Sequence, residues 1–289
     1  MLRSWKLGSA FGIGIYVHFT FWLLPAVVLL RSWGGGFEIA AFSLALLFAV
    51  FGCVVLHELG HALMARYYGI RTRDITLYPI GGIARLERMS ERPWEELWIA
   101  LAGPAVNVVI ALALLAVLIV GQMPLGTAAL LGTTAGSFLA SLMLANAILV
   151  VFNLLPAFPM DGGRVLRALL AMPLGRLRAT EIAATVGMVM AVLFGLGYFV
   201  LGRTSGWFDN PMLILVGLFV WFAGQQELAG VRRQEALRQA EPIDVLPAEP
   251  APYAGVEPGF SGFTWDSRFG AWVMWRDGRP VARYSAGSE

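Results

Sequence analysis

Long apolar runs dominate the chain, and its polar residues gather between them instead of alternating with them. Six runs approach the length of a membrane crossing, at roughly 15–32, 39–65, 97–120, 134–156, 180–202 and 211–229, where a spanning helix needs about 20 mostly apolar residues. The longest stretch between runs, about 69–96, has a different texture. Thr72, Ile75, Thr76, Leu77, Tyr78 and Ile80 favour a strand, Pro79, Gly81 and Gly82 punctuate it, and Ile83 to Leu86 suits a second short strand. The pattern predicts an α-helical integral membrane protein: six transmembrane helices, a short β-hairpin or sheet at the cytoplasmic edge, and a small C-terminal tail. Residues 1–230 would form the six-span core. Residues 231–262 would be a helix end followed by a linker rich in Pro, Ala, Glu and Gly. Residues 263–289 carry Trp265, Trp272 and Trp275, and Asp277-Gly278 between two apolar stretches signals a hairpin.

Composition agrees with this class: 58% of residues are hydrophobic, 14% are charged, and the mean hydropathy is +0.69. Charge adds orientation. With six spans, 19 of the 21 Lys and Arg residues fall on one face, leaving Arg31 and Arg203 on the other. Such a split predicts an even number of spans with both termini in the cytoplasm, in the cell (inner) membrane. The net charge is +2 and no basic run is present, so nucleic acid is not an expected partner. Arg3 and Lys6 precede the first apolar run as in a signal peptide, but the run is long and lacks a clear cleavage site, so it reads as a retained span. The single cysteine, Cys53, excludes an internal disulfide.

The second run contains His57-Glu58-Leu59-Gly60-His61. On a helix, residues four apart face the same way, so His57 and His61 can hold one metal ion. Glu58 lies on the adjoining flank, where it can take a proton from a metal-bound water. Ionisable groups at the centre of a span cost about 2.5–3.5 kcal/mol each on translocon scales, so a chance pentad is a poor explanation. A catalytic zinc site needs a third protein ligand and an open fourth position. The best candidate is Asp161, after the helix-breaking stretch Asn153-Leu154-Leu155-Pro156-Ala157-Phe158-Pro159-Met160. An alternative role for Asp161 is to cap the helix that starts near Gly163. The charge pattern places the ends of spans two and four, and hence all three ligands, on one side. Cys53, one turn before His57, reads as a small buried apolar residue, and His18 as an interfacial or supporting histidine.

With these residues in place the chain resembles the site-2 protease family of intramembrane metalloproteases. The similarity rests on His-Glu-x-x-His at 57–61, on Asn-x-x-Pro-x-x-x-x-Asp-Gly at Asn153, Pro156, Asp161 and Gly162, and on Gly-Pro-x-x-Asn at Gly103, Pro104 and Asn107. It covers about residues 10 to 230 and looks like the compact six-span branch, without an inserted PDZ-like domain or a pair of cystathionine-synthase-like modules. The resemblance implies one zinc ion per chain on His57, His61 and Asp161, with Glu58 as catalytic base. It also implies cleavage within or beside a transmembrane segment of single-span membrane proteins, such as anti-sigma factors or membrane-tethered regulators, often after a first cut elsewhere.

The expected chemistry is attack of an activated water on the scissile carbonyl, with Glu58 passing its proton to the leaving amine. Asn107 or Asn153 would donate to the oxyanion, or both would join spans by hydrogen bonds. A substrate helix must unwind before it can be cut, and an edge strand within 72–86 would then offer backbone partners; the same hairpin would otherwise only connect spans. Two other functions compete. A metal transporter needs polar groups along a route through the membrane, and the fifth and sixth runs have almost none. A catalytically inactive metal-binding scaffold would have no need to keep Glu58.

Overall fold

The computed structural model describes residues 4–285 apart from 89, 91, 124–129, 131, 206–211, 240–258 and 269. Two compact units divide it, Met1–Val231 and Arg232–Glu289.

The first unit opens with two strands, β1 (Ser4–Ala10) and β2 (Ile13–His18), followed by a 3-10 turn at Phe19–Trp22 and a ten-residue helix, α1 (Leu23–Ser32). The first expected span, 15–32, is therefore not one helix. Ile13, Ile15 and Val17 alternate along a strand, and Ile15 and Val17 pair in parallel with Ile75 and Leu77 of β3 (Thr72–Tyr78). The alternation is concealed in the sequence because the intervening residues are also apolar or small. His18 ends the strand: its ring packs against Tyr78, and its Nδ1 lies 2.8 Å from the Thr20 hydroxyl. The expected hairpin is present as β3 and β4 (Gly81–Leu86), within a sheet of order β1-β2-β3-β4.

Parallel pairing of β2 with β3 requires a long crossover. The crossover is α1 with α2 (Gly36–Tyr67), whose 32 residues span about 48 Å at 1.5 Å per residue, well beyond a hydrocarbon core of about 30 Å. The sheet packs along the second half of α2, where Val17, Phe21, Phe51, Val54 and Leu77 form one cluster and Ile13, Leu59, Ala62 and Ile75 another. It thus lies beside the helix that carries His57 and His61.

The remaining helices are α3 (Pro93–Val120), α4 (Ala135–Asn153), α5 (Asp161–Leu174), α6 (Arg176–Ser205) and α7 (Met212–Gln239). Among the described residues, four helical stretches are long and apolar enough to cross a membrane: Gly36–Tyr67, Pro93–Val120, Ala135–Asn153 and Ile214–Ala236. The fifth expected span, 180–202, is helical inside α6. Close helix approach is set by small residues. A Cβ on Gly60 would lie 2.8 Å from the Ala102 carbonyl oxygen, so α2 and α3 touch backbone to side there.

One polar knot lies within this apolar bundle. Arg167 on α5 is wholly buried. Its Nε donates to Glu96 of α3 at 3.0 Å, its Nη groups also donate to Glu96 and to Glu227 of α7, and its guanidinium lies 5.1 Å from the Phe158 ring centre.

In the second unit, β5 (Gly262–Asp266), β6 (Ala271–Arg276) and β7 (Arg279–Ser285) form an antiparallel meander. Asp277 and Gly278 turn with φ of 53° and 75°, the two positive values a tight hairpin turn requires. Ala271, Val273 and Trp275 are buried, and the Trp275 indole donates to the Thr264 hydroxyl at 2.7 Å. The expected linker falls mostly on residues 240–258, outside the described set.

Removing Arg167 would leave the Glu96 carboxylate buried without its cation. Arg167→Ala should lower stability by about 3–5 kcal/mol. Glu227→Gln should cost less, because the Glu227 side chain is 33% exposed. Thermal unfolding of both variants in detergent micelles measures the order.

Candidate metal centre

His57 and His61 lie on successive turns of α2, and both are 5% exposed. Asp161 reaches them from α5. Its Oδ2 is 3.2 Å from His57 Nε2 and 3.0 Å from His61 Nε2, and the two Nε2 atoms are 3.0 Å apart. The three atoms form a nearly equilateral triangle, the sole group of this kind among the described residues. Zinc bound at about 2.0–2.1 Å in tetrahedral geometry sets neighbouring ligand atoms roughly 3.3–3.4 Å apart, so the triangle suits that ion with slight expansion. His61 is oriented from behind: its Nδ1 donates to the Ile99 carbonyl at 2.6 Å. That bond places the proton on Nδ1 and leaves the Nε2 lone pair for a metal. Pro104, which has no N–H, loosens the same turn of α3 by leaving its i−4 carbonyl without a helical donor.

Room for an ion depends on Gly103. A Cβ there would sit 2.2 Å from His61 Nε2 and 2.7 Å from His57 Nε2, against both histidine ligand atoms. Glycines also seat the aspartate. A Cβ on Gly162 would lie 2.3 Å from the carbonyl oxygens of Leu154 and Leu155, and one on Gly163 would lie 2.7 Å from the Ala157 carbonyl carbon. The start of α5 is therefore pressed into the loop that follows α4. Asp161 is the first residue of α5 and Met160 holds the cap position, so the Asp161 carboxylate turns to the histidines and not to its own helix end.

These groups open into a cavity of about 640 Å³ that is mostly apolar, with Ile148, Phe152 and Phe219 on its wall. Glu58 lines it, and its Oε2 accepts from the Ala84 backbone N–H at 3.2 Å. Asn107 and Asn153 line it too. Asn107 follows Gly103 by one helical turn and so shares its face. It is fully buried, and neither its Oδ1 nor its Nδ2 has a partner among the described residues. A buried amide with both ends unsatisfied is costly unless something else enters the site.

Arg164 also lines the cavity, with Nη1 4.0 Å from Asp161 Oδ1. It escaped the sequence reading because it was counted among the cationic residues of one membrane face; its position three residues after Asp161 on a helix was the available signal. Gly82 and the Ile99 carbonyl carried no signal in the sequence. Cys53 stands apart from the cluster and accepts a 3.3 Å contact from the Asn146 amide.

The sequence profile of peptidase family M50 matches residues 45–131 and 121–194. The chain is 37% identical over 250 residues to a zinc metalloprotease of Methanocaldococcus jannaschii, covering 86% of this chain and 68% of the relative. It is 28% identical over 182 residues to the stage IV sporulation protein FB of Bacillus subtilis, covering 63% of this chain and 56% of that protein. Among solved structures, the site-2 protease from Methanocaldococcus jannaschii superposes with a TM-score of 0.54 at 38% identity, over 78% of this chain and 95% of that one.

Gly103→Ala should lose metal, since its Cβ would crowd the ligand nitrogens of both histidines. Zinc content of the purified variant should fall from the wild-type value to near background; full retention would show that the ion lies elsewhere.

Proposed function

The chain belongs to peptidase family M50, the site-2 proteases, and from that premise we propose that this multi-pass membrane zinc metalloprotease cuts a peptide bond in or next to a transmembrane segment. The observation that carries the reading is the convergence of His57, His61 and Asp161 within 3.0–3.2 Å at the wall of an apolar cavity that Glu58 also lines. His57, His61 and Asp161 would hold one zinc ion per chain. Bound there, zinc supplies Lewis acidity to a water and to the scissile carbonyl.

The protein's own groups do the rest. Glu58 takes a proton from water at one carboxylate oxygen and delivers it to the leaving nitrogen. Asn107, which lines the cavity with no amide partner among the described residues, donates to the oxygen that gains charge, with Asn153 as the other candidate. The apolar wall excludes bulk water and accepts the side chains of a membrane segment. Burial of the site among helices long enough to cross a bilayer points to single-span membrane proteins as substrates, and membrane-tethered regulators fit that class. The cationic bias of one set of loops supports a cytoplasmic location for both termini, in the inner membrane.

Two measurements on one set of proteins test this reading: zinc stoichiometry, and cleavage of a panel of single-span peptides. His57→Ala and Asp161→Asn should lose both metal and cleavage. Glu58→Gln should keep zinc and lose cleavage by at least about 100-fold, the lower range for removing a general base. Cleavage at the wild-type rate by Glu58→Gln would overturn its role.

A further inference from the structure

Glu58 is not poised in open space. Its Oε2 is bonded to the N–H of Ala84 on β4, an edge strand of the sheet with no strand beyond it among the described residues. Ala84 is opposite Ile75 in the antiparallel β3–β4 ladder. In such a ladder, successive residues turn their backbone groups alternately toward the partner strand and toward the open side. Because the Ala84 N–H goes to Glu58, Ala84 faces the open side, together with Gly82 and Leu86. These are the groups an added strand would engage. Gly82 permits the contact: a Cβ there would lie 2.7 Å from Glu58 Cγ and 3.2 Å from Val54 Cγ1. Gly82, Ile83, Ala84 and Glu58 line the same cavity as the three metal-binding side chains.

Resting on the proposed role of Glu58 as base and on the expectation that an edge strand within 72–86 pairs with the substrate, we infer that the Ala84 N–H is a latch on Glu58 that the substrate itself opens. An extended segment pairing with β4 offers its carbonyl to the Ala84 N–H, and the Glu58 carboxylate is released toward the metal site. The exchange conserves hydrogen bonds. Ala84 trades a carboxylate acceptor for a carbonyl, and Glu58 trades an amide proton for one from water. The bond to Ala84 leaves the carboxylate with accepting capacity to spare but ties the side chain to the strand edge, so the base is held from turning to the metal site until a strand is seated. The latch recognises an unwound backbone, whatever side chains it carries. A ligand too short to pair along β4 does not open it.

The test compares wild type with Ala84→Pro on two substrates, a membrane-span peptide and a short peptide containing the same scissile bond but too short to pair with β4. Proline breaks no ladder bond on the open side of an edge strand, and at residue 84 its ring carbon replaces the hydrogen that holds Glu58 and pushes the carboxylate off the strand. With zinc content unchanged, Ala84→Pro should cleave the span peptide more slowly and the short peptide about ten-fold faster, the scale of one lost charge-assisted hydrogen bond. Cleavage of the short peptide at or below the wild-type rate overturns the latch.

A second measurement needs no turnover. Without substrate, hydrogen exchange at the residue 84 amide should be about ten-fold faster in zinc-loaded Glu58→Ala than in wild type. An uncleavable extended peptide should restore protection. Equal exchange in the two proteins overturns the latch as well. Loss of span cleavage in Ala84→Pro with no gain on the short peptide removes the latch and leaves β4 as the docking edge. If Glu58→Gln cleaves either substrate at the wild-type rate, the functional reading itself falls.

Discussion

His57 Nε2, His61 Nε2 and Asp161 Oδ2 must share one small volume although they come from two helices whose closest members are 100 residues apart in sequence. Much of the first unit can be understood as serving that convergence. Spacing of four along α2 brings the two imidazoles together without any tertiary help. The third atom needs α5 to start at one place, and the start of α5 is pressed into the preceding loop so closely that only glycine fits at 162 and 163. The space between the donors exists because α3 presents Gly103, and Gly60 lets α3 come near enough for the Ile99 carbonyl to fix the His61 ring. Farther along α5, Arg167 ties the helix to α3 and α7 through Glu96 and Glu227. Orientation of a single carboxylate is thus shared among four helices.

Lipid makes the same arrangement expensive. An ionisable side chain in the centre of a span costs a few kcal/mol, and it persists only where partners or function repay it. The buried charges here are accordingly grouped. Arg167 sits between two carboxylates. Asp161 lies between two imidazoles, with Arg164 beyond. The neutral Asn107 amide differs: it has no partner among the described residues and lines the cavity. Outside these groups the spanning helices show large apolar residues such as Phe37, Val109 and Leu112 on their surfaces, as a chain solvated by lipid requires.

How legible all this was in the sequence follows from the range of each signal. The histidine pair, the helix break before Asp161 and the Asp277-Gly278 turn are local patterns with one dominant physical meaning, and the structure has each where the pattern put it. Strand β2 was missed because Ile13, Ile15 and Val17 alternate with residues that are also apolar or small, and β1 because Lys6 read as the cationic flank of a span. A strand packed in apolar surroundings loses the polar half of its period, and the run then reads as the start of a span. Arg167 was misjudged for the opposite reason. Counted as a cationic residue of one membrane face, it is wholly buried, and its partners Glu96 and Glu227 lie 71 and 60 residues away. Gly82 and Gly103 were visible as glycines, but the atoms that forbid a side chain there belong to other elements.

The sheet also presents a difficulty that the site resolves. An exposed strand edge is a liability in water and is not tolerated in lipid, where every backbone N–H needs an acceptor. An edge kept open for a substrate would leave the Ala84 donor orphaned whenever no substrate is present. Glu58 removes that cost: its half-buried carboxylate accepts from Ala84 and gains a partner itself. Two groups in need of a partner in the resting protein, a strand-edge donor and a half-buried carboxylate, satisfy each other. Both are freed for use by the same event, the arrival of an unwound backbone that brings its own carbonyl.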